Sequence, residues 1–536
     1  MDVNKYMNKV MFVFLINTIL VCSSGCEYSN KNRPKVLLIG VDGASWNVMT
    51  PLIKKGKLPN IKKLMDRGSW GNCESVWPFY SEVVWTSITT GKLPAKHGIT
   101  DRLLQDPDTG VAVPPTSNLK KVKAIWDILS ESNKRVGIMN FMVTWPAEKV
   151  NGVVISDRIL DINGLDYLAE DRSYPNFKEI CSPTEFERFK NIKESIFSGI
   201  KEDRFPNFWW SIENIDNFMI NFSKYLLRKK NFDFFCLYIR GIDIASYNFW
   251  QFLFPEGLHI SEDDIQRYKD IINNYYIWCD RVIGDIFKEA GKDTVVFIVS
   301  DHGFTATPKY SRLFSKVDYL LEISEINKIS EGSQTAILKN EPADIHSFGK
   351  NIEIIGNLSE KEFSELREKA KNTLKNIVVK ETGDHLFSNL EDTKNGFLIK
   401  APKSFMEKNL AYHIIVNKKE YKINDLFINN VYLGEHSNPA IIIISGEHIL
   451  RNKKIMSANI YDITPTILYY MGIPIAKDMD GKVLLEAIEE DYIKRNPIRY
   501  IDTYETAKDK TVQKPIRSLF DEERIKEKMR SLGYIN

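Results

Sequence analysis

The sequence predicts an α/β protein built on a doubly wound, mostly parallel sheet with two insertions. Five short runs have strand length and near-continuous apolar character, which suits strands buried on both faces. Helix-length segments separate them, as they must where parallel strands are joined by crossovers. The runs are "KVLLIGVDG" (35–43), "RVGIMNF" (135–141), "FFCLYIRGID" (234–243), "TVVFIVSDHG" (294–303) and "AIIIISG" (440–446). Helices are expected over 57–68, 82–90, 123–133, 262–290 and 461–471. A chain of 536 residues, 43% hydrophobic and 27% charged, can bury a core of that size and does not have a disordered composition.

From the amino end, Lys5 and Lys9 precede an apolar run from Val10 to Val21 and the small residues "SSG" before Cys26, the pattern of an export signal. The run is too short to span a bilayer. Small residues directly ahead of a cysteine resemble a bacterial lipobox, so residues 1–25 are expected to be removed and Cys26 lipidated. That would hold the chain to a membrane of the bacterial cell envelope; ordinary signal cleavage and a retained anchor are the alternatives. Cys73, Cys181, Cys236 and Cys279 include no CxxC pair. Cys236 and Cys279 sit in apolar segments and read as buried small hydrophobes, so no disulfide framework is implied.

The core is expected in three parts, 34–156, 231–304 and 431–490. Residues 157–230, with "RFPNFWWSIENIDNF", read as an inserted helical cap, and 305–430 as a second α/β insertion with a helix at 359–376. Such excursions commonly carry specificity or a lid. Residues 491–536 read as a charged tail forming a surface helix. Lys+Arg 73 against Asp+Glu 71 gives no reason to expect a nucleic acid polymer as partner.

Three of the five runs end in aspartate: Asp42, Asp243 and Asp301, the last followed by His302. Parallel strands open their carboxyl ends on one edge, so these carboxylates should converge on one crevice. Converging carboxylates repel one another and are commonly held ionised by cations. His302 and His436 ("YLGEHSNPA") complete an N/O set suited to zinc, with manganese or iron as alternatives. One such Asp alone reads as a turn or helix cap; three, one of them in Asp-His-Gly, read as a metal site.

The pieces "VLLIGVDGASW", "SEVVWTSITTGKLPAKHGI", "VSDHGF" and "ITPTILYYMGIPIAKDMDGKVL" resemble the alkaline phosphatase superfamily, in its branch of bacterial type I phosphodiesterase and nucleotide pyrophosphatase-like proteins. The resemblance covers roughly 35–155, 231–304 and 431–490. It implies an alkaline phosphatase-like core and two divalent metal ions. It also implies a nucleophile nine residues before the threonine of "TG", which here is Ser81. By the same match Asp42, Ser81, Asp301 and His302 would surround one metal, and Asp243, the residue at 247 and His436 the other. Arg102 stands near where some nucleotide pyrophosphatases carry a phosphate-binding asparagine, and would make a charged phosphate contact. His97 reads as a structural histidine. Glu82 stands where relatives often have proline.

Position 247 departs from the family, which has histidine where this chain has Tyr247. Tyrosine binds a metal as phenolate, and its reference pKa of about 10 weakens that bond near neutral pH. Three readings stay open: two metals with Tyr247 as ligand or hydrogen-bond donor, one metal only, or a binding protein descended from an enzyme. The function expected is metal-dependent hydrolysis of a phosphodiester or pyrophosphate bond through a phosphoserine at Ser81, on a phosphorylated small-molecule or lipid substrate. A phosphomonoesterase, or a catalytically silent surface lipoprotein binding a glycan, lipid or protein, is the alternative. A sulfatase is disfavoured because no Cys-x-Pro-x-Arg signature surrounds Ser81.

Overall fold

The computed structural model describes residues 35–105, 112–159, 171–187, 206–255, 260–306 and 434–506. It also describes 327–329, 336–338, 343–348, 351–356, 359–387, 389–393, 396–400, 412–416 and 418–422. The export signal, Cys26 and residues 507–536 lie outside the described residues.

The main sheet has nine strands. In chain order these are β1 (Val36–Val41), β2 (Gly68–Glu74), β3 (Val136–Met139), β4 (Gly152–Ile155), β5 (Ser173–Tyr174), β6 (Phe234–Ile239) and β7 (Val295–Val299). A separate antiparallel pair, β8 (Gly303–Ala306) and β9 (Gly434–Ser437), precedes the last two, β10 (Ala440–Ser445) and β11 (Lys453–Asn459). The order across the sheet is β11-β2-β10-β7-β1-β6-β3-β4-β5. The central strands β7, β1, β6, β3 and β4 are parallel, and β10 runs antiparallel between β7 and β2. The flanking helices are α1 (Trp46–Lys54), α2 (Pro59–Asp66), α3 (Ser81–Thr90), α4 (Ile125–Glu131), α5 (Pro206–Lys229), α6 (Gly241–Leu253), α7 (Ile271–Ala290) and α8 (Ile463–Tyr470).

Strand β1 shows why its sequence is apolar throughout. Leu37, Ile39 and Val41 enter a core with Met49 of α1, Leu64 of α2, Phe222 of α5 and Ile283 of α7. Val36 and Leu38 point the other way, into a core with Val84 and Trp85 of α3, Leu129 of α4 and Leu468 of α8. Period-two alternation therefore feeds two cores, and neither face can be polar. The four cysteines among the described residues are buried and free.

Several expectations differ in detail. The run 234–243 stops being a strand at Ile239, and Gly241 already starts α6. The Asp216 carboxylate accepts from the backbone N–H of Gly241 (2.9 Å) and Arg240 (3.3 Å), capping that helix. A Cβ at 241 would lie 2.1 Å from the Tyr275 hydroxyl, so only glycine fits. Within the expected cap 157–230, β5 extends the main sheet and α5 packs against β6, α6 and α7. Its apolar face is thus part of the helix layer. The 262–290 segment forms two helices, Glu262–Tyr268 and α7. In the described part of the expected tail a helix covers Glu490–Arg495, and Tyr500–Ile501 then pairs with Ile475–Ala476, whose burial draws the chain back. The second insertion contains a six-stranded and a three-stranded antiparallel sheet and the helix Glu360–Lys375. No helix among the described residues is long and apolar enough to cross a membrane.

His97 is fully buried at the end of a short turn of helix. Its Nδ1 accepts from the Ile99 N–H (3.1 Å), so Nε2 carries the proton and donates to the Ser87 hydroxyl (2.9 Å). Burial lowers its pKa to about 3. The unfolded chain therefore binds a proton that the folded one refuses between about pH 6.5 and pH 3, and stability falls as pH falls through that window. In His97→Leu, the slope of unfolding free energy against pH in denaturant titrations should be shallower there by about 1.4 kcal/mol per pH unit.

Candidate metal centre

The carboxyl edge of the parallel strands gathers the site. Asp42 follows β1, and Asp301 and His302 follow β7. Asp243 lies in the first turn of α6, with Tyr247 one turn further along the same helix. His436 arrives from far along the chain because β9 pairs with β8, placing it opposite Phe304. Ser81 is the first residue of α3 and is buried.

Asp42, Asp243, Asp301 and His302 are all essentially inaccessible. Ligand-capable atoms of Asp42, Asp301 and His302 lie within 4.8 Å of one another, and so do those of Asp243, His302 and His436. His302 Nε2 is 3.2 Å from Asp301 Oδ2, 3.5 Å from Asp42 Oδ1 and 4.0 Å from Asp243 Oδ1. The His302 and His436 rings stack with centroids 3.4 Å apart.

Proton positions follow from the neighbours. His302 Nδ1 faces the Gly303 carbonyl at 3.0 Å, and His436 Nδ1 faces the Phe79 carbonyl at 2.6 Å. A carbonyl only accepts, so both Nδ1 atoms carry hydrogen; His302, held neutral, turns a bare Nε2 toward the carboxylates, while His436 Nε2 lies 3.0 Å from Asp243 Oδ1, where a proton on it can be donated. Asp42 Oδ1, Asp301 Oδ2 and His302 Nε2 are buried without a hydrogen-bond partner. Facing carboxylates and a bare imidazole nitrogen are costly together unless a proton or a cation sits among them; without metal Asp42 is pushed toward its protonated form, and a divalent cation would remove that need. The donor set, oxygen and imidazole nitrogen, fits zinc and also manganese or iron.

Electrostatics agree with the geometry. Burial, then Asp301 and Asp243, hold the Asp42 carboxyl well above the usual carboxylate range, against the hydrogen bond from the Tyr238 hydroxyl. Burial also raises Asp301, while His436, the Gly43 N–H (3.2 Å) and the nearby Ser81 hydroxyl draw it down. Burial and His436 lower His302 to about 3. Burial pushes His436 down, but its hydrogen bond with Asp243 (3.0 Å) and the surrounding carboxylates outweigh this and raise it.

Tyr247 lies at this centre. Its hydroxyl is 2.6 Å from His436 Nε2, and its ring packs edge-on against Phe304. His436 Nε2, the atom a metal would use, is thus shared between the Tyr247 hydroxyl and the Asp243 carboxylate. Arg102 stands over the Tyr80 ring at 5.4 Å, one residue before Ser81. Glu82 is raised by burial and drawn back by Arg240 and Arg102. Thr86 and Ser87 donate back to the helix carbonyls of Glu82 (2.6 Å) and Val83 (3.2 Å), away from the centre.

Sequence reading missed Tyr238, Asp216, Phe79 and Arg240. Tyr238 looks like one more apolar strand residue, and only the β1–β6 register, with Gly40 opposite Tyr238, sets its hydroxyl on Asp42. Arg240 follows Ile239, the residue in register with Val41 just before Asp42. Its charge reaches both Asp42 and Glu82.

The profile of the type I phosphodiesterase / nucleotide pyrophosphatase family matches residues 36–423. That match runs through both expected insertions and stops before 431–490, where His436 lies. No curated protein matches the chain. Among solved structures, human ectonucleotide pyrophosphatase / phosphodiesterase 5 is 15% identical, with a TM-score of 0.45, covering 84% of this chain and 97% of that one. Phosphonoacetate hydrolase from Sinorhizobium meliloti 1021, in complex with phosphonoacetate, is 14% identical with a TM-score of 0.45, covering 81% and 94%. A mutant of alkaline phosphatase PafA is 14% identical with a TM-score of 0.48, covering 86% and 100%.

Proposed function

The chain belongs to the type I phosphodiesterase / nucleotide pyrophosphatase family, and from that premise we propose a divalent-metal-dependent hydrolase of phosphodiester or pyrophosphate bonds that works through Ser81. Membership makes the chain a phosphoric ester hydrolase. The observation that carries the finer reading is the set of buried, unpartnered atoms Asp42 Oδ1, Asp301 Oδ2 and His302 Nε2, gathered beside Ser81 where, without a cation, Asp42 is driven to hold a proton.

Asp42, Ser81, Asp301 and His302 would hold one ion, and Asp243 and His436 a second, with Tyr247 as ligand or hydrogen-bond donor. Zinc is the first choice, with manganese or iron as alternatives. Bound divalent ions supply positive charge that makes a serine hydroxyl nucleophilic near neutral pH and offsets the charge of the phosphate oxygens. Ser81 Oγ attacks phosphorus, the ester's alcohol or phosphate leaves, and water then releases the phosphoryl group from the serine. The positive end of α3 faces the same phosphate. Tyr238 and Gly43 orient the Asp42 and Asp301 carboxylates through their hydrogen bonds. The substrate is a phosphorylated small molecule or lipid, met outside the cytoplasm by a chain anchored through lipid on Cys26.

Acid-quenched protein mixed with a bis-aryl phosphodiester should carry one aryl phosphoryl group, the second aryl having left as the alcohol, on the peptide that contains Ser81, as read by mass spectrometry. Label on another residue, or turnover with none trapped, would contradict the intermediate. A phosphomonoesterase is the second reading, favoured by Arg102 over Tyr80, since a guanidinium suits a more anionic ester. The ratio of rates on an aryl phosphate and a bis-aryl phosphate decides between them.

At position 247, Tyr247→His should raise retained zinc and hydrolysis about tenfold or more, because imidazole ligates as the neutral ring whereas a phenol must first lose its proton. Metal content equal to wild type in that variant would count against Tyr247 lying beside an ion.

A further inference from the structure

We propose that the amino edge of the main sheet, opposite the metal centre, is a surface that docks on anionic phospholipid headgroups. The starts of β7, β1, β6 and β3 are tied into a row there: Val295 N–H donates to the Lys35 carbonyl (3.0 Å), Lys35 N–H to Asp233 (2.9 Å), and Asp233 N–H to Arg135 (2.7 Å). The helices that precede or follow these strands return to this edge, and they bring cations with them.

Helix α1 ends in Lys54, and the turn into α2 adds Lys55 and Lys57, all three exposed. Helix α2 adds Lys62, Lys63 and Arg67. With Leu58 and Pro59, the α2 cations line an open hollow of about 490 Å³. The one acid in that lining, Asp66, is paired with Lys62. Beside β2, the edge strand β11 enters with Lys453 and Lys454, in register with Ser69 and Trp70. Of the carboxylates at this edge, Glu289 is held by Arg228, Glu131 by Lys123, and Asp233 accepts from the Arg135 backbone N–H, while Asp293 before β7 and Glu447 after β10 are exposed acids outside the α1–α2 corner.

The chain as a whole carries a formal charge of only +2. This edge is therefore a segregation of charge, with Asp42, Asp243 and Asp301 at the far end of the same strands. Helix dipoles favour a cation in a last turn, which accounts for Lys54. They account for Lys63 in the last turn of α2 as well, but not for Lys55 and Lys57 in the turn between the helices. A basic surface around a hollow with an apolar floor matches a phosphate headgroup above its glycerol and acyl chains.

The described chain also begins at this edge. Cys26 lies nine residues before Lys35, a reach of about 30 Å at most. If Cys26 is lipidated, the basic edge faces the bilayer and Ser81 opens away from it. That orientation rests on the lipid-anchor reading; the charge pattern does not.

Flotation with vesicles tests this on the full chain carrying Cys26→Ser, so that attached lipid cannot supply the binding. Vesicles of phosphatidylcholine with about one-third phosphatidylglycerol should bind it, pure phosphatidylcholine should not, and high salt should release it. Reversing Lys54, Lys55 and Lys57 to glutamate should weaken binding about 100-fold or more, at roughly fivefold per lysine lost. Hydrolysis of a soluble ester and thermal unfolding should not change, so a failed enzyme assay would not bear on this result. Binding equal on neutral and anionic vesicles, no binding to either, or an unchanged triple variant would overturn the proposal. So would retention on heparin by protein that ignores anionic vesicles, since that outcome points to a soluble polyanion. A second reversal, Lys62→Glu with Arg67→Glu, checks that the hollow takes part.

Discussion

Ser81→Ala should abolish hydrolysis of a bis-aryl phosphodiester, a loss of about 10⁴-fold or more in kcat/KM. The substitution removes the one hydroxyl that opens α3 beside the carboxylates. Alanine is a good residue at a first helical position, and this helix start has no side-chain cap to lose, so the unfolding free energy should change by no more than about 1 kcal/mol. The loss would therefore be chemical, not structural. Thr86 and Ser87 cannot take over, because their hydroxyls are committed to helix carbonyls and, for Ser87, to His97. A variant keeping a tenth of wild-type activity in a steady-state assay would place the nucleophile elsewhere.

Asp301→Asn should change stability with opposite signs in the absence and presence of metal. Without metal, Asp42 and Asp301 are buried carboxyls held above their usual range by burial, and at Asp42 by the neighbouring acids as well. Removing one should raise stability by about 1–3 kcal/mol. The asparagine carbonyl can still accept from Gly43, so the local backbone keeps its hydrogen bond. With zinc at about a thousandfold above its dissociation constant, wild type gains about 4 kcal/mol that the variant largely loses. Thermal unfolding with chelator and with zinc measures both arms. Destabilisation in both would mean that these carboxylates are not a cation site.

The site was partly legible because its ligands are local events in sequence: an aspartate at the end of three of the five apolar runs, the fourth run closing on Asp-His-Gly. Period-two burial on β1, with Leu37 and Ile39 on one core and Val36 and Leu38 on the other, explains why such runs announce themselves. His436 was legible only through the resemblance, since nothing in "YLGEHSNPA" shows that it will pair opposite Phe304. Asp216, Tyr238 and the Phe79 carbonyl were not legible. Each acts through a contact across the sheet or between helices, and an aspartate in a helical stretch or a tyrosine in a strand has many commoner explanations. The end of the strand at Ile239 was missed for the same reason, because the cap on α6 comes from Asp216, 25 residues before Gly241.

The most direct test of a metal-dependent hydrolase at this centre is cleavage of a bis-aryl phosphodiester by the purified chain before metal depletion, after it, and after readdition of zinc, manganese or iron. Activity should vanish with the chelator and return with at least one of these ions. Cleavage that survives complete depletion, or none with any of the three, would contradict it.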